Sequence, residues 1–211
     1  MQPILKEIYQ DILDGQHSQM AAKVQRALEK GVTPKVILEE GMIAAMAEVG
    51  RQFEAGEYYV PEMLISARAM QTGLTVLKPH LKEASVQAAG KVAIGTVKGD
   101  LHDIGKNLVA MILEGAGFEI LDLGTDVPAE KFVAAADSVD VIALSGLLTT
   151  TMTGMKAVIE MLQAAGKRDK VKVIVGGAPV TETYAKQIGA DGYAPNASRA
   201  VTMTKALLDH K

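Results

Sequence analysis

The run Lys91-Val92-Ala93-Ile94-Gly95-Thr96-Val97-Lys98-Gly99-Asp100-Leu101-His102-Asp103-Ile104-Gly105-Lys106-Asn107 changes character twice. Lys91 to Val97 is apolar and rich in β-branched residues, the pattern of a buried strand. Gly99 to Gly105 is polar and punctuated by glycine, the pattern of a loop. From Asn107 to Glu114 the apolar spacing becomes helical. A loop at the carboxyl end of a strand, opening a helix, is where open α/β sheets hold their ligands. This loop carries one imidazole, His102, with Asp100 two residues before it and Gly105 three residues after it. A carboxylate on one ring nitrogen sets the tautomer and leaves the other nitrogen free to bind a metal. Gly105 lets a bulky group pass close to the backbone where the helix begins. The plainer alternative is a turn followed by a helix cap.

Downstream, the same alternation repeats. Strand-like runs occupy 118–123, 141–145, 171–175 and 192–194, and helical runs start near Pro128, Thr151, Thr181 and Ser198. Short strands separated by helices predict a doubly wound α/β domain with a five-stranded parallel sheet covered on both faces. Right-handed crossovers and a flavodoxin-like (Rossmann-like) order of 2-1-3-4-5 put the switch point between strands one and three. Three loops then meet at one sheet edge: Asp100 to Gly105, Ser145 to Thr151, and Gly176 to Pro179. Singly, a serine and threonine run before a helix reads as capping, and Gly176-Gly177 as a tight turn. Together they outline a deep, narrow pocket walled by small residues and hydroxyls. A nucleotide site fits poorly, because the glycines form neither Gly-x-Gly-x-x-Gly nor a phosphate loop. A phosphate-accepting receiver domain fits poorly too, since Asp100 and Asp103 are a weak acidic cluster.

Upstream, residues 1–84 lack strand patterns and read as an up-and-down four-helix bundle. Its helices are expected over about 3–13, 17–30, 34–56 and from Pro61 onward, with short connections. Glu57-Tyr58-Tyr59-Val60-Pro61-Glu62-Met63 sets two tyrosines and a methionine at the last joint. They are either ordinary core or an apolar lid over a flat ligand, a role suited to aromatic and thioether side chains. Residues 85–90 read as a linker to the α/β domain of 91–211.

Composition narrows the class. The 211 residues are 48% hydrophobic with a net charge of −3 and no cysteine, so thiolate sites and disulfides are excluded. No basic patch suggests nucleic acid or an anionic membrane as a partner. Lys6, Glu7 and Asp11 interrupt the first apolar residues and no run is long enough to span a bilayer, so a cytoplasmic protein is expected. Of the four histidines, His17, His80 and His210 sit in charged or terminal contexts and read as solvated.

Both parts, in order, resemble the cobalamin-binding methyl carriers. These are the corrinoid proteins of three-component methyltransferase systems and the matching module of methionine synthase. Asp100-x-His102-x-x-Gly105, continued by Lys106-Asn107, is similar to the family's axial-ligand motif, Ser145-x-Leu147 to its second motif and Gly176-Gly177 to its third. Asp122-Leu123-Gly124, Val127 to Lys131, Gly56 to Glu62 and Ser66 to Met70 also look like that module. The resemblance implies cobalamin, as methylcobalamin or cob(I)alamin or a related corrinoid, bound base-off. His102 would be the lower axial ligand to cobalt. Asp100 would hold its other nitrogen, and Thr151 would stand where methionine synthase has a serine. Asp103, Ile104, Gly105, Ser145, Leu147, Thr149, Gly176 and Gly177 would line the cofactor site, and Tyr59, Met63, Ala69 and Met70 would lie near its upper face. Tyr59 stands where the family usually has phenylalanine. The implied role is to carry a methyl group on cobalt from a donor-specific methyltransferase to an acceptor methyltransferase acting on tetrahydrofolate or a thiol. A reductive activase would serve the cobalt. The chain would then be one subunit of such a system rather than a complete enzyme.

Two other uses of such a domain remain open. A cobalamin-dependent sensor has a similar cap, but normally adds a DNA-binding domain and has a histidine where Met63 stands. A mutase subunit would lack the helical cap.

Overall fold

The computed structural model describes residues 2–209, so His210 lies outside the described residues. They form two compact units, one running through Gln87 and including Gly115–Gly117, the other made of Ala88–Glu114 and the chain from Phe118 onward.

The first unit is helical. It contains α1 (Pro3–Leu13), α2 (Met20–Glu29), α3 (Pro34–Val36), α4 (Ala44–Glu54) and α5 (Val60–Glu83). α1 buries Ile4, Leu5, Ile8 and Ile12 along one stripe, the spacing that a helix needs to face a core. Two details depart from the expected helices. His17–Gln19 is a 3₁₀ turn, so α2 begins at Met20. Between α3 and α4 the chain winds through a π-helical segment, Ile37–Ile43, where Gly41 packs 3.5 Å from Leu5 and Ile8 side-chain atoms as placed by an added Cβ. A wider turn inserts an extra residue into an otherwise continuous helix, and periodicity over Glu39-Glu40-Gly41 does not announce it. No helix among the described residues is long and apolar enough to cross a membrane.

The second unit is the expected α/β domain. Its strands are β1 (Lys91–Val97), β2 (Glu119–Val127), β3 (Val141–Ser145), β4 (Lys172–Gly176) and β5 (Gly192–Tyr193), ordered β2-β1-β3-β4-β5. All neighbours pair in parallel. The helices α6 (Ile104–Gly115), α7 (Ala129–Ala135), α8 (Thr153–Ala164), α9 (Glu182–Ile188) and α10 (Ala197–Asp209) make the crossovers. β1 and β3 are buried almost throughout, as central strands covered on both faces must be. Phe132, Val97, Met155 and Val175 meet in the core beneath one face. Register puts Thr96 beside Ser145 and Ser145 beside Gly176, a row of small residues, two with hydroxyls, across the carboxyl edge.

One strand is longer than expected. The sequence pattern ends β2 at Leu123, yet it runs to Val127. Gly124 and Asp126 both have positive φ and look like turn residues, but they are accommodated as irregularities within the strand.

Candidate functional site

β1 delivers the site. Beyond Val97 the chain turns, with the Asp100 N–H donating to the Val97 carbonyl at 3.1 Å. This turn folds the Asp100 carboxylate inward, where it is fully buried. Its Oδ1 accepts the His102 backbone N–H at 3.0 Å, closing an Asx turn, and faces the His102 Nδ1 at 2.7 Å. Its Oδ2 accepts the Leu147 N–H at 2.7 Å and lies 2.7 Å from the Thr151 hydroxyl. The Thr151 oxygen is also 2.9 Å from the Leu148 carbonyl. One hydroxyl proton cannot serve both well, and the charged carboxylate is the stronger acceptor.

These contacts set the state of the imidazole. An ionised carboxylate only accepts, so in the neutral ring Nδ1 carries the proton and Nε2 the lone pair. The His102 side chain is 53% exposed, so that lone pair is available to a ligand. Its carbonyl is also held, accepting from the Thr96 hydroxyl at 2.9 Å. Thr96 is fully buried in β1. Burial alone would raise the Asp100 pKa. The Leu147 and His102 N–H groups, the Thr151 hydroxyl and the His102 ring outweigh it and hold the carboxyl well below the usual carboxylate range.

The remaining predicted residues take different places around this carboxylate. Leu147 and Thr151 join Asp100 directly, as above. Ser145 is half-buried at the end of β3, and Thr149 is exposed in the following turn. Asp103 is exposed and accepts the Asn107 side-chain amide at 3.1 Å in the first turn of α6. Gly176 and Gly177 have reasons inside the protein: an added Cβ would lie 2.9 Å from the Ala194 carbonyl oxygen and 1.9 Å from the Gly146 carbonyl oxygen, respectively. Gly105 differs. An added Cβ there meets nothing within 4 Å, and its φ is not in the left-handed region. Neither packing nor backbone conformation within the protein requires glycine there.

Exposed apolar side chains flank His102 in its own loop and lie in the loop that donates to Asp100. Leu101 is 73% and Ile104 80% exposed, and Leu147 and Leu148 are also exposed. Large apolar side chains displayed around a free metal-binding nitrogen favour a broad, partly apolar ligand. Among the described residues, no three His, Asp or Glu side chains converge on a metal position. A metal at Nε2 would need its other donors brought with it, as a macrocycle brings them. The residues present therefore fit a corrinoid.

In the helical unit, the two tyrosines part company. The Tyr58 hydroxyl donates to the Leu13 carbonyl at 3.1 Å and its ring is half-buried. Tyr59 is 66% exposed, and its N–H donates to Glu62 at the start of α5. Met63, Ala69 and Met70 are fully buried.

The chain matches known families over most of its length. The family described as B12 binding domain matches residues 90–202, and a second B12-binding family matches residues 4–78. The chain belongs to the B12-binding domain family. Cobalamin or a related corrinoid is its cofactor. Among curated relatives, this B12-binding protein is 46% identical to the dimethylamine corrinoid protein of Methanosarcina barkeri, over 97% of each chain. It is 45% identical to trimethylamine corrinoid protein 1 of Methanosarcina acetivorans, over 90% of each chain. Among solved structures it resembles a chain of the methanol:cobalamin methyltransferase complex from Methanosarcina barkeri. That match has a TM-score of 0.86 and 29% identity, and covers 99% of this chain and 80% of that one.

Three contributors escaped the sequence reading. Thr96 hides in an apolar strand, where a threonine reads as a β-former. Asp122 reads as the penultimate residue of a strand ending at Leu123, and Asp126 as a turn residue after it. The only available signal was their spacing, two residues either side of Gly124.

Proposed function

We propose that this corrinoid protein carries methyl groups, holding cobalamin base-off with His102 as lower ligand. It would accept the methyl group from a donor-specific methyltransferase and yield it to an acceptor methyltransferase, with a reductive activase maintaining the cobalt. The cobalt of the bound corrinoid supplies a centre that takes up and releases methyl. The observation carrying this reading is the Thr151–Asp100–His102 relay, which holds Nδ1 of the ring and turns Nε2 outward among exposed leucines and an isoleucine. The relatives named for dimethylamine and trimethylamine, and the likeness to a chain of a methanol:cobalamin methyltransferase complex, support the same role.

Each residue then has a task. Asp100 orients the imidazole and keeps its lone pair outward. Thr151 donates to Asp100 and is the outer end through which a proton can pass when the imidazole leaves or takes up its position. Gly105 clears space beside the helix start. Gly176, Gly177, Ser145 and Leu147 shape the sheet edge that would receive the cofactor's nucleotide tail. Residues 1–84 would act as a cap, with Tyr59, Met63 and Met70 near the upper face, and residues 85–90 would let the cap move aside for partner enzymes. The relatives are named for different methylamines at nearly equal identity, so donor choice belongs to the partner.

The test is to load the full chain with methylcobalamin and mix it with candidate methyltransferases for dimethylamine, trimethylamine and methanol. Methyl exchange that depends on one of these enzymes supports the carrier. Light-dependent change of oligomeric state with adenosylcobalamin, and no exchange, would instead favour a sensor.

A further inference from the structure

β2 is an edge strand, yet two of its carboxylates reach the loop that carries His102. The register shows how. Ile94 pairs with Asp122, Gly95 with Gly124 and Val97 with Val127, so β2 twice carries an extra residue opposite the end of β1. Bulges of this kind re-aim side chains, and they concentrate at sheet edges beside functional sites. Gly124 lies at φ +90°, and Asp126 is a non-glycine residue at φ +50°.

The re-aimed side chains hold the loop at both ends. At its entry, Asp126 Oδ1 accepts the Gly99 N–H at 2.7 Å, while the Asp126 N–H donates to the Asp100 carbonyl at 2.9 Å. At its exit, Asp122 Oδ2 accepts from Lys106 Nζ at 2.6 Å, and Asp122 Oδ1 accepts the Gly124 N–H at 2.9 Å. Lys106 follows Gly105 in the first turn of α6, and its side chain is only 2% exposed. Both arrangements are costly as mere architecture. A left-handed conformation is unfavourable for an L-residue with a side chain, and a buried ammonium must be paired. An apolar residue could fill the position of Lys106, and glycine could take that of Asp126. Costs of this type persist where they serve a site.

We infer that the bulged half of β2 is a positioning device for His102, with Asp126 fixing the entry of its loop and the Asp122–Lys106 pair fixing the exit. The inference rests on His102 being the axial ligand. Without these two ties, the His102 turn would be held by Asp100, Thr96 and the Asp103–Asn107 contacts at the start of α6, and the ring would sample orientations and tautomers that do not present Nε2.

The test uses the full chain and two readouts. The first is the His102 tautomer in corrinoid-free protein, read by ¹⁵N-resolved histidine NMR. The second is imidazole nitrogen coupling in the Co(II) EPR spectrum after reconstitution with cobalamin. Asp126→Gly removes the carboxylate while relaxing the backbone. It should raise the minor tautomer roughly fivefold, the worth of one ordinary hydrogen bond, and the fraction of cobalt lacking imidazole should rise in parallel. Asp126→Asn keeps an acceptor and tolerates the left-handed conformation, so it should stay within about twofold of wild type. Lys106→Met and Asp122→Asn should act in the same direction as Asp126→Gly, and they decide the matter if Asp126→Gly does not fold. Wild-type values in both spectra for Asp126→Gly or for the exit variants would overturn the inference, as would equal effects of Asn and Gly at position 126. A wild-type protein with no imidazole on cobalt would refute axial ligation instead, and the tautomer data would still judge the positioning role.

Discussion

Asp100→Asn is the most informative single change, because its cost can be worked out atom by atom. The carboxylate is fully buried and receives only donors: the His102 N–H and ring on Oδ1, the Leu147 N–H and Thr151 hydroxyl on Oδ2. Asparagine turns one acceptor into an NH₂ group. Placed at the Oδ2 position, that group can donate to Thr151, whose proton then turns to the Leu148 carbonyl 2.9 Å away. The Leu147 N–H has no such freedom and faces a donor. Placed at the Oδ1 position, the amide orphans the His102 N–H and drives the ring proton onto Nε2. Either orientation strands one buried backbone N–H, costing about 1–3 kcal/mol, and gives up charge-assisted bonds worth about 1 kcal/mol more. The ligand-free variant should therefore melt roughly 5–15 °C lower by circular dichroism at pH 7. The second orientation also closes Nε2 to a metal, so a reconstituted sample should contain a sizeable fraction without imidazole on cobalt. The pH dependence has a definite sign. Asp100 is held below its unfolded pKa, so its stabilisation is complete above about pH 4 and is lost as the pH falls further toward the folded value. The gap between wild type and variant should narrow below about pH 4. A variant melting within about 1 °C of wild type, with the same pH profile, would refute the picture of a carboxylate saturated by donors.

Other outcomes follow from the same geometry. His102→Gly should still take up corrinoid, because the residues proposed to receive the nucleotide tail are unchanged, but with a changed visible spectrum and slower methyl exchange; an unaltered spectrum would speak against ligation. Thr151→Val should cost about 1–2 kcal/mol in ligand-free stability, whereas Thr151→Ser should stay within about 1 kcal/mol, as urea titrations would show. Gly105→Leu and Gly177→Ala should behave oppositely. The leucine enters open space and should leave ligand-free stability within about 1 kcal/mol while weakening cobalamin binding at least about tenfold. The alanine would collide with the Gly146 carbonyl at a positive φ and should cost about 2 kcal/mol or more before any ligand is added.

How much of this was legible before the coordinates depends on the kind of signal. Strand order and the meeting of three loops at one sheet edge could be read from alternation, because parallel pairing and right-handed crossovers leave few topologies. The partnership of Asp100 with His102 was readable because it is local, a two-residue turn. Thr151 lies fifty-one positions from Asp100, and resemblance rather than spacing pointed to it. The end of β2 was misplaced since Gly124 and Asp126 have the chemistry of a turn while their neighbours keep the ladder of a strand. Thr96 was invisible for the opposite reason: in a buried strand its hydroxyl looks incidental until the His102 carbonyl is found 2.9 Å away. The π-helical segment at Ile37–Ile43 is a slip in phase, which apolar spacing over so few residues does not resolve.

The central claim is that the imidazole of His102, and not the cofactor's own base, is the lower ligand of cobalt. Protein grown with ¹⁵N-histidine and reconstituted with unlabelled cobalamin tests it in one Co(II) EPR spectrum. Ligation by His102 predicts doublet splitting from a ¹⁵N nucleus, lost in His102→Gly. Triplet splitting from ¹⁴N, unchanged by that substitution, would show the cofactor's base still attached to the metal and contradict the claim.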